Sequence, residues 1–208
     1  MRFYKAGWLI ASLALIFVIW GARPLKLNFL PLAGALRGVA DDQETTVSVS
    51  VVDEESGLGL PCRLTVVDDN GSLAPLKADS KSGLAAARGM IYTASGQGRF
   101  RLPRGNYTVF ASRGFEYSVA AWRISALAGA SIENRLKLRR EVPTPGYVGA
   151  DTHTHTYTYS GQGDASLADR VLTIAGEGIE LPVASDHDVV TDYHQMAEEQ
   201  GVRTYLRP

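Results

Sequence analysis

Between Thr45 and Leu138, apolar and polar residues alternate in short runs, and Gly, Pro or Asn separates most of them. In TTVSVSVVD, Val47, Val49 and Val51 fall on one side of an extended chain, with Thr46, Ser48 and Ser50 on the other. Side chains alternate with period two along a strand, so this run predicts a half-buried strand. CRLTVV repeats the pattern with Cys62, Leu64 and Val66 on one face. The DDNGS that follows is a turn, because Asn-Gly tolerates positive φ. After a less patterned stretch, GMIYTAS, GRFRLP, NYTVFAS, FEYSVAAWRI and SIENRLKLR resume the rhythm, and no helical period competes. Short strands rich in Val, Tyr, Phe and Thr at this spacing predict an antiparallel β-sandwich over residues 44–139. Tyr92, Tyr107, Tyr117 and Trp122 are expected to pack in its core or rim rather than to form a carbohydrate or peptide surface. The single cysteine, Cys62, has no internal disulfide partner and reads as a small buried apolar group.

Ahead of these runs, MRFYK carries two positive charges, and residues 6–22 carry none. A basic start followed by an apolar stretch is the pattern of an export signal. The stretch is also near the lower limit for a helix crossing a bilayer of about 30 Å. Trp8 and Trp20 suit its two interfaces. Two outcomes stay open. Residues 1–22 are either a signal, with a small-residue cleavage option ending at Ala40, or an uncleaved membrane anchor. Both place the protein outside the cytoplasm, membrane-anchored or periplasmic or extracellular. Residues 23–43 read as a tether. With 21 basic and 22 acidic residues the charges nearly cancel, which excludes nucleic acid as an expected partner.

Two prolines and a glycine mark residues 140–146 as a linker, and the composition then shifts. VGADTHTHTYTYS reads as a strand, ASLADRVLTIAGEG as a helix and IELPVASDHD as a second strand. Ser166 is placed to cap the helix, with Asp169 three residues on. Leu167, Val171, Leu172 and Ala175 form its apolar stripe, and Gly176 or Gly178 stops it. Strand, helix and strand in succession form a βαβ unit with parallel strands.

All four histidines lie in this C-terminal region. In DTHTH, two residues apart on a strand point the same way, about 6.6 Å apart at the backbone. Imidazoles so placed can converge on one ion at roughly 2.0–2.1 Å. Asp151, His153, His155, Tyr157 and Tyr159 then share one face, and Thr152, Thr154, Thr156 and Thr158 the other. SDHD ends the next strand, and parallel sheets gather ligands beyond the carboxyl ends of their strands. The predicted metal ligands are therefore His153, His155 and His187. Asp151 and Asp186 stand beside them as further ligands or as acceptors that fix a histidine tautomer. His194 reads as part of a solvated helix.

The Asp-x-His-x-His at 151–155 and the Ser-Asp-His at 185–187 resemble the start of a PHP-domain (polymerase and histidinol phosphatase) metallohydrolase, in its carbaryl-hydrolase-like branch. The resemblance covers residues 147–193. It implies a distorted (β/α) barrel and divalent zinc, manganese or iron on His153, His155 and His187, with Asp186 nearby. It also implies hydrolysis of a small-molecule or phosphoester substrate by metal-activated water. Upstream, Gly98, Phe100, Leu102, Pro103, Gly105, Tyr107 and Val109 resemble the rhythm of carboxypeptidase regulatory-like sandwiches, which implies an accessory module. The family's additional early histidine has no counterpart in TYTYSGQGD, where Gln162 stands, and its later ligands have none before Pro208. One βαβ unit cannot close a barrel of roughly 200 residues. The expected fold class is thus mixed: an N-terminal signal or anchor helix, an antiparallel β-sandwich, and the βαβ start of a truncated PHP barrel over 147–208. As a hydrolase, such a chain is expected to be inactive or weakly active. The competing readings are a non-catalytic β-sandwich binding or anchoring protein with a decayed remnant, and an amidohydrolase, which Ser-Asp-His on the next strand fits less well.

Overall fold

A computed structural model describes residues 43–79 and 83–207. The expected signal or anchor helix and nearly all of the tether lie outside these residues. Among the described residues, no helix is long and apolar enough to cross a membrane.

Two sheets face each other. The first has the order β3 (Lys77–Ala78), β6 (Gln97–Leu102), β1 (Thr45–Asp53) and β9 (Ser131–Leu138). The second has the order β4 (Leu84–Ala87), β5 (Met90–Thr93), β2 (Cys62–Asp68), β7 (Gly105–Ser112) and β8 (Ala120–Ala126). Val47, Val49 and Val51 of β1 and Cys62, Leu64 and Val66 of β2 point inward and are almost fully buried, as their alternation requires. Full burial of such a side chain contributes about 1.5–3 kcal/mol. Gly98 lets the sheets approach: a Cβ there would sit 2.6 Å from Leu64 Cδ1 of the facing sheet. Tyr107 is buried, and its hydroxyl donates to the Pro103 carbonyl at 3.2 Å. Tyr117 and Trp122 pack against the same core.

The first sheet is mixed rather than antiparallel. β9 runs parallel to β1, in register from Thr46 opposite Ser131 to Asp53 opposite Leu138. The unpatterned stretch after DDNGS holds β3 and β4, and the strand expected from Phe115 begins only at Ala120. Tyr117 makes an isolated bridge to Arg140 instead.

The C-terminal region runs through β10 (Ala150–Thr154), α1 (Tyr157–Ser160), α2 (Leu167–Gly176), β11 (Leu181–Ala184) and α3 (His194–Glu199), with a 3₁₀ turn at Arg203–Tyr205. β10 and β11 pair in parallel, as the βαβ reading requires. They form a sheet of two strands with no barrel around it, so the expected barrel is not present among the described residues. Ser166 caps α2, accepting from Asp169 N at 3.2 Å and donating its hydroxyl to Asp169 Oδ2 at 2.7 Å. Val171, Leu172, Ile174 and Ala175 join Ala85, Tyr193, Ala197, Val202 and Leu206 in a second core, with Tyr92 and Ala94 packed against it.

Because Ala85, Tyr92 and Ala94 belong to the five-stranded sheet and its margin, α2 seats on that sheet's outer face. The seat depends on a missing side chain. A Cβ on Gly176 would lie 2.8 Å from Tyr92 Cδ1 and 3.2 Å from the Cys62 carbonyl oxygen. Glu177, just beyond, accepts from Arg63 Nη1 at 2.6 Å and from the Tyr92 hydroxyl at 2.9 Å. Arg113 completes the joint. Its Nη1 donates to the carbonyls of Pro61, at 2.6 Å, and of Ala175. Its guanidinium carbon lies 5.7 Å and 5.2 Å from the ring centres of Tyr117 and Tyr205. Burial pushes the Arg113 pKa down, against the pull of both tyrosines.

Candidate functional site

β10 and β11 end side by side, and the histidines emerge from those ends. His153 is the penultimate residue of β10, His155 follows it, and His187 stands in the turn after β11. Asp188 completes that turn in the left-handed region, at φ 59°, a conformation that Asp tolerates better than most residues. The strand's parity brings the first two rings together, with Nε2 of His155 2.8 Å from Nε2 of His153. The ring of His187 lies edge-to-face with that of His155, with centroids 4.7 Å apart and planes at 85°. All three predicted imidazoles therefore meet, at a surface where His153 and His187 are exposed.

Two of the three imidazoles bond directly to each other. Two nitrogens on one tetrahedral ion at roughly 2.0–2.1 Å would stand about 3.3 Å apart. The observed 2.8 Å is instead a hydrogen bond, in which one ring donates from Nε2 and the other presents a lone pair. Among the described residues, no group of three or more His, Cys, Asp or Glu side chains is placed to hold a metal ion.

The two aspartates take different parts. Asp186 is 6% exposed and saturated. Its Oδ1 accepts from Thr156 N at 2.7 Å, Thr156 Oγ1 at 3.0 Å and Ser160 Oγ at 2.7 Å. Its Oδ2 accepts from Thr191 Oγ1 at 3.3 Å and the Tyr193 hydroxyl at 3.1 Å. Burial alone would raise its pKa, but these donors outweigh burial and hold it below the usual aspartate value. Burial, followed by the charge of Asp186, pushes the Tyr193 hydroxyl up. Asp151 leaves the histidine face. The register slips between Asp151 and Thr154, and Asp151 lines a cleft on the α2 side together with Thr154. Its Oδ1 accepts from His153 N at 3.0 Å.

Three residues that the sequence did not single out position the imidazoles. Thr156 caps α1 by accepting from Tyr159 N at 3.3 Å while both its donors bind Asp186. Ser160 Oγ stands 3.4 Å from His155 Nδ1 and accepts from His187 N at 3.1 Å. Tyr193 also donates to the Thr154 carbonyl at 3.3 Å. The hydroxyl density of TYTYS was the available signal. Tyr157 and Tyr159, expected on the strand face, lie exposed on α1 because β10 stops at Thr154. His194 opens α3, with Nδ1 3.2 Å from Asp192 Oδ1, away from any ligand role in the sequence reading.

No family model matches the chain, and no curated protein matches it. Among solved structures, the minor pilin of Streptococcus agalactiae is similar at 18% identity and a TM-score of 0.35, over 50% of this chain and 47% of the pilin. A shaft pilin from Lactobacillus rhamnosus GG follows at 13% and 0.33, over 49% of this chain and 52% of that one. A DUF3823 family protein from Parabacteroides merdae stands at 13% and 0.28, over 52% and 53%. The chain thus spans about half the length of each. The resemblance to PHP metallohydrolases is not supported: no family model matches the chain, and the described residues form a two-stranded parallel sheet in place of the barrel that the resemblance implied. The carboxypeptidase regulatory-like resemblance has no matching family model either. What stands is a predominantly β chain built on a two-sheet sandwich.

Proposed function

We propose that this chain is an exported β-sandwich protein that acts by binding or anchoring, not by turnover. One observation carries the reading: Asp186, the buried carboxylate beside the imidazoles, has both oxygens committed to five donor contacts. A buried carboxylate that gathers five donors acts as a tie between segments of the chain, which suits a structural part for Asp186. The basic and apolar residues 1–22 support export, with the membrane as partner if they stay attached. The test combines envelope fractionation of cells expressing the full chain with assays of purified protein on a phosphodiester, with added zinc, manganese or iron. The protein is expected in the envelope or outside the cell, with no turnover above that of the His187→Ala variant. Hydrolysis that depends on His187 refutes the reading.

A second reading concerns the imidazoles, and their mutual contact favours it. We infer that His153, His155 and His187 take up a divalent ion as a staple between the ends of β10 and β11. Imidazole donors suit zinc better than manganese. Turning the His187 ring out of its edge-to-face contact would supply the third nitrogen. Elemental analysis of the full chain after zinc dialysis is expected to find bound metal that His153→Ala and His187→Ala each lose. Equal metal in all three refutes it.

A further inference from the structure

A separate concavity lies between α2 and the strands β4, at the sheet edge, and β5 beside it, with a volume of about 280 Å³. That is just under the usual range of roughly 300–1,000 Å³ for small-molecule pockets. Part of its lining is apolar, from Ala86, Ala87, Met90 and Ile174. Its walls carry Asp151, Asp164, Asp169 and Glu177 against one cation, Arg170. Arg63 neutralises Glu177, and Arg170 reaches Asp164 only at 3.4 Å, where the Asp164 side chain is 96% exposed. Negative charge is therefore left over. No three of these carboxylates are arranged to hold a metal ion among the described residues. The charge calls for an organic cation.

Thr154 gives the independent indication. It lines this cleft and is 4% exposed, yet its Oγ1 has no hydrogen-bond partner. Buried polar atoms are nearly always paired, and an orphaned one costs about 1–3 kcal/mol. A valine would fill the same volume without that cost. Rotation about χ1 exchanges the hydroxyl and methyl positions, so the oxygen can turn toward a donor that enters.

We propose that this cleft binds a linear aliphatic primary amine. An ammonium group has three donors and no acceptor. It can donate to a lining carboxylate and to the Thr154 hydroxyl, while its carbon chain lies along Ala86, Ala87 and Met90. None of the three imidazoles lines the cleft, so amine binding is measured separately from the function proposed above.

Titration calorimetry on the full chain tests it, with 1,5-diaminopentane, Nα-acetyl-lysine methylamide and pentanoate as probes. The two amines are expected to bind with dissociation constants on the order of 1 mM, given their few heavy atoms, and pentanoate not at all. Tighter binding of the diamine marks a free amine as the ligand, and tighter binding of the blocked lysine marks a partner's lysine side chain. Thr154→Val is expected to weaken amine binding about tenfold while leaving Tm unchanged or higher, since it also removes an unpaired hydroxyl. Asp164→Asn, at the exposed rim, is expected to weaken it about threefold. Absence of amine binding up to about 20 mM, equal binding of pentanoate, or full affinity in Thr154→Val overturns the proposal.

Discussion

Asp186→Asn is the perturbation that most directly tests how the C-terminal region is held. The aspartate, just beyond β11, ties α1 and its cap Thr156 to the Thr191–Tyr193 segment through five contacts, three on Oδ1 and two on Oδ2. Asparagine keeps the shape and the Oδ1 acceptor. Its amide then faces the hydroxyls of Thr191 and Tyr193, which can turn and accept instead. The loss is thus mainly that of charge-assisted bonding, about 2–3 kcal/mol. Asp186→Ala strands the donors outright and should cost more, about 4–5 kcal/mol. For a folded region of this size, each kcal/mol lowers Tm by roughly 2–4 °C, so the asparagine variant should melt about 4–12 °C below wild type at pH 7.

The pH dependence fixes the sign. The folded pKa of Asp186 lies below its ordinary value. Between the folded value and an unfolded value of about 3.9, the unfolded chain binds more protons, and stability rises with pH. The Asp186 contribution is therefore fully present above about pH 4 and fades as pH falls through the folded value. Calorimetric melts of wild type and Asp186→Asn across the acid range should converge as pH drops. A gap under about 1 °C at neutral pH, or one that persists unchanged to about pH 2, refutes the assigned role.

Gly176→Ala should cost about 1–3 kcal/mol in denaturant titrations, because the new methyl meets the Tyr92 ring and a main-chain carbonyl. Wild-type stability would show that α2 does not seat there. Arg113→Met should cost about 2–4 kcal/mol by leaving the Pro61 and Ala175 carbonyls without their donor, and Arg113→Lys should recover only part, since an ammonium lacks the flat fork that stacks on both tyrosines. Full recovery by lysine would exclude the stacking. Burial raises the Cys62 thiol to about 12, against a small opposing pull from Arg113, so a thiol reagent at mildly alkaline pH should leave the native chain unlabelled and modify it on unfolding. Rapid native labelling would contradict the buried position.

The strands of the sandwich were legible wherever alternation was strict. Val47, Val49 and Val51 went inward together, and the Asn-Gly turn formed with Gly71 at φ 78°. β4 escaped because LAAA has neither β-branching nor contrast between its faces. The parallel partnership of β1 and β9 escaped because nothing local records which strands become neighbours across some 80 residues. The imidazoles could be placed because period two and the parallel βαβ topology both pointed to one strand end. Asp151 was misplaced by a register slip that no residue type announces. TYTYS, β-rich in composition, turned helical because Asp186, 30 residues on, captures the amide and hydroxyl of Thr156. Tertiary bonding there overrode local preference.

The five-stranded sheet is clad on both sides, by the opposing sheet within and by α2 without. Cutting the chain at 140–146 would not release a self-sufficient front half. It would strip a cover from Ala85 and Tyr92 and leave Arg63 without its acid. The front half alone should therefore be sticky and less soluble than the whole, and the intact chain should unfold in one transition. Any partner that engages the outer face of β4 and β5 has to do so around α2, with the joint closed.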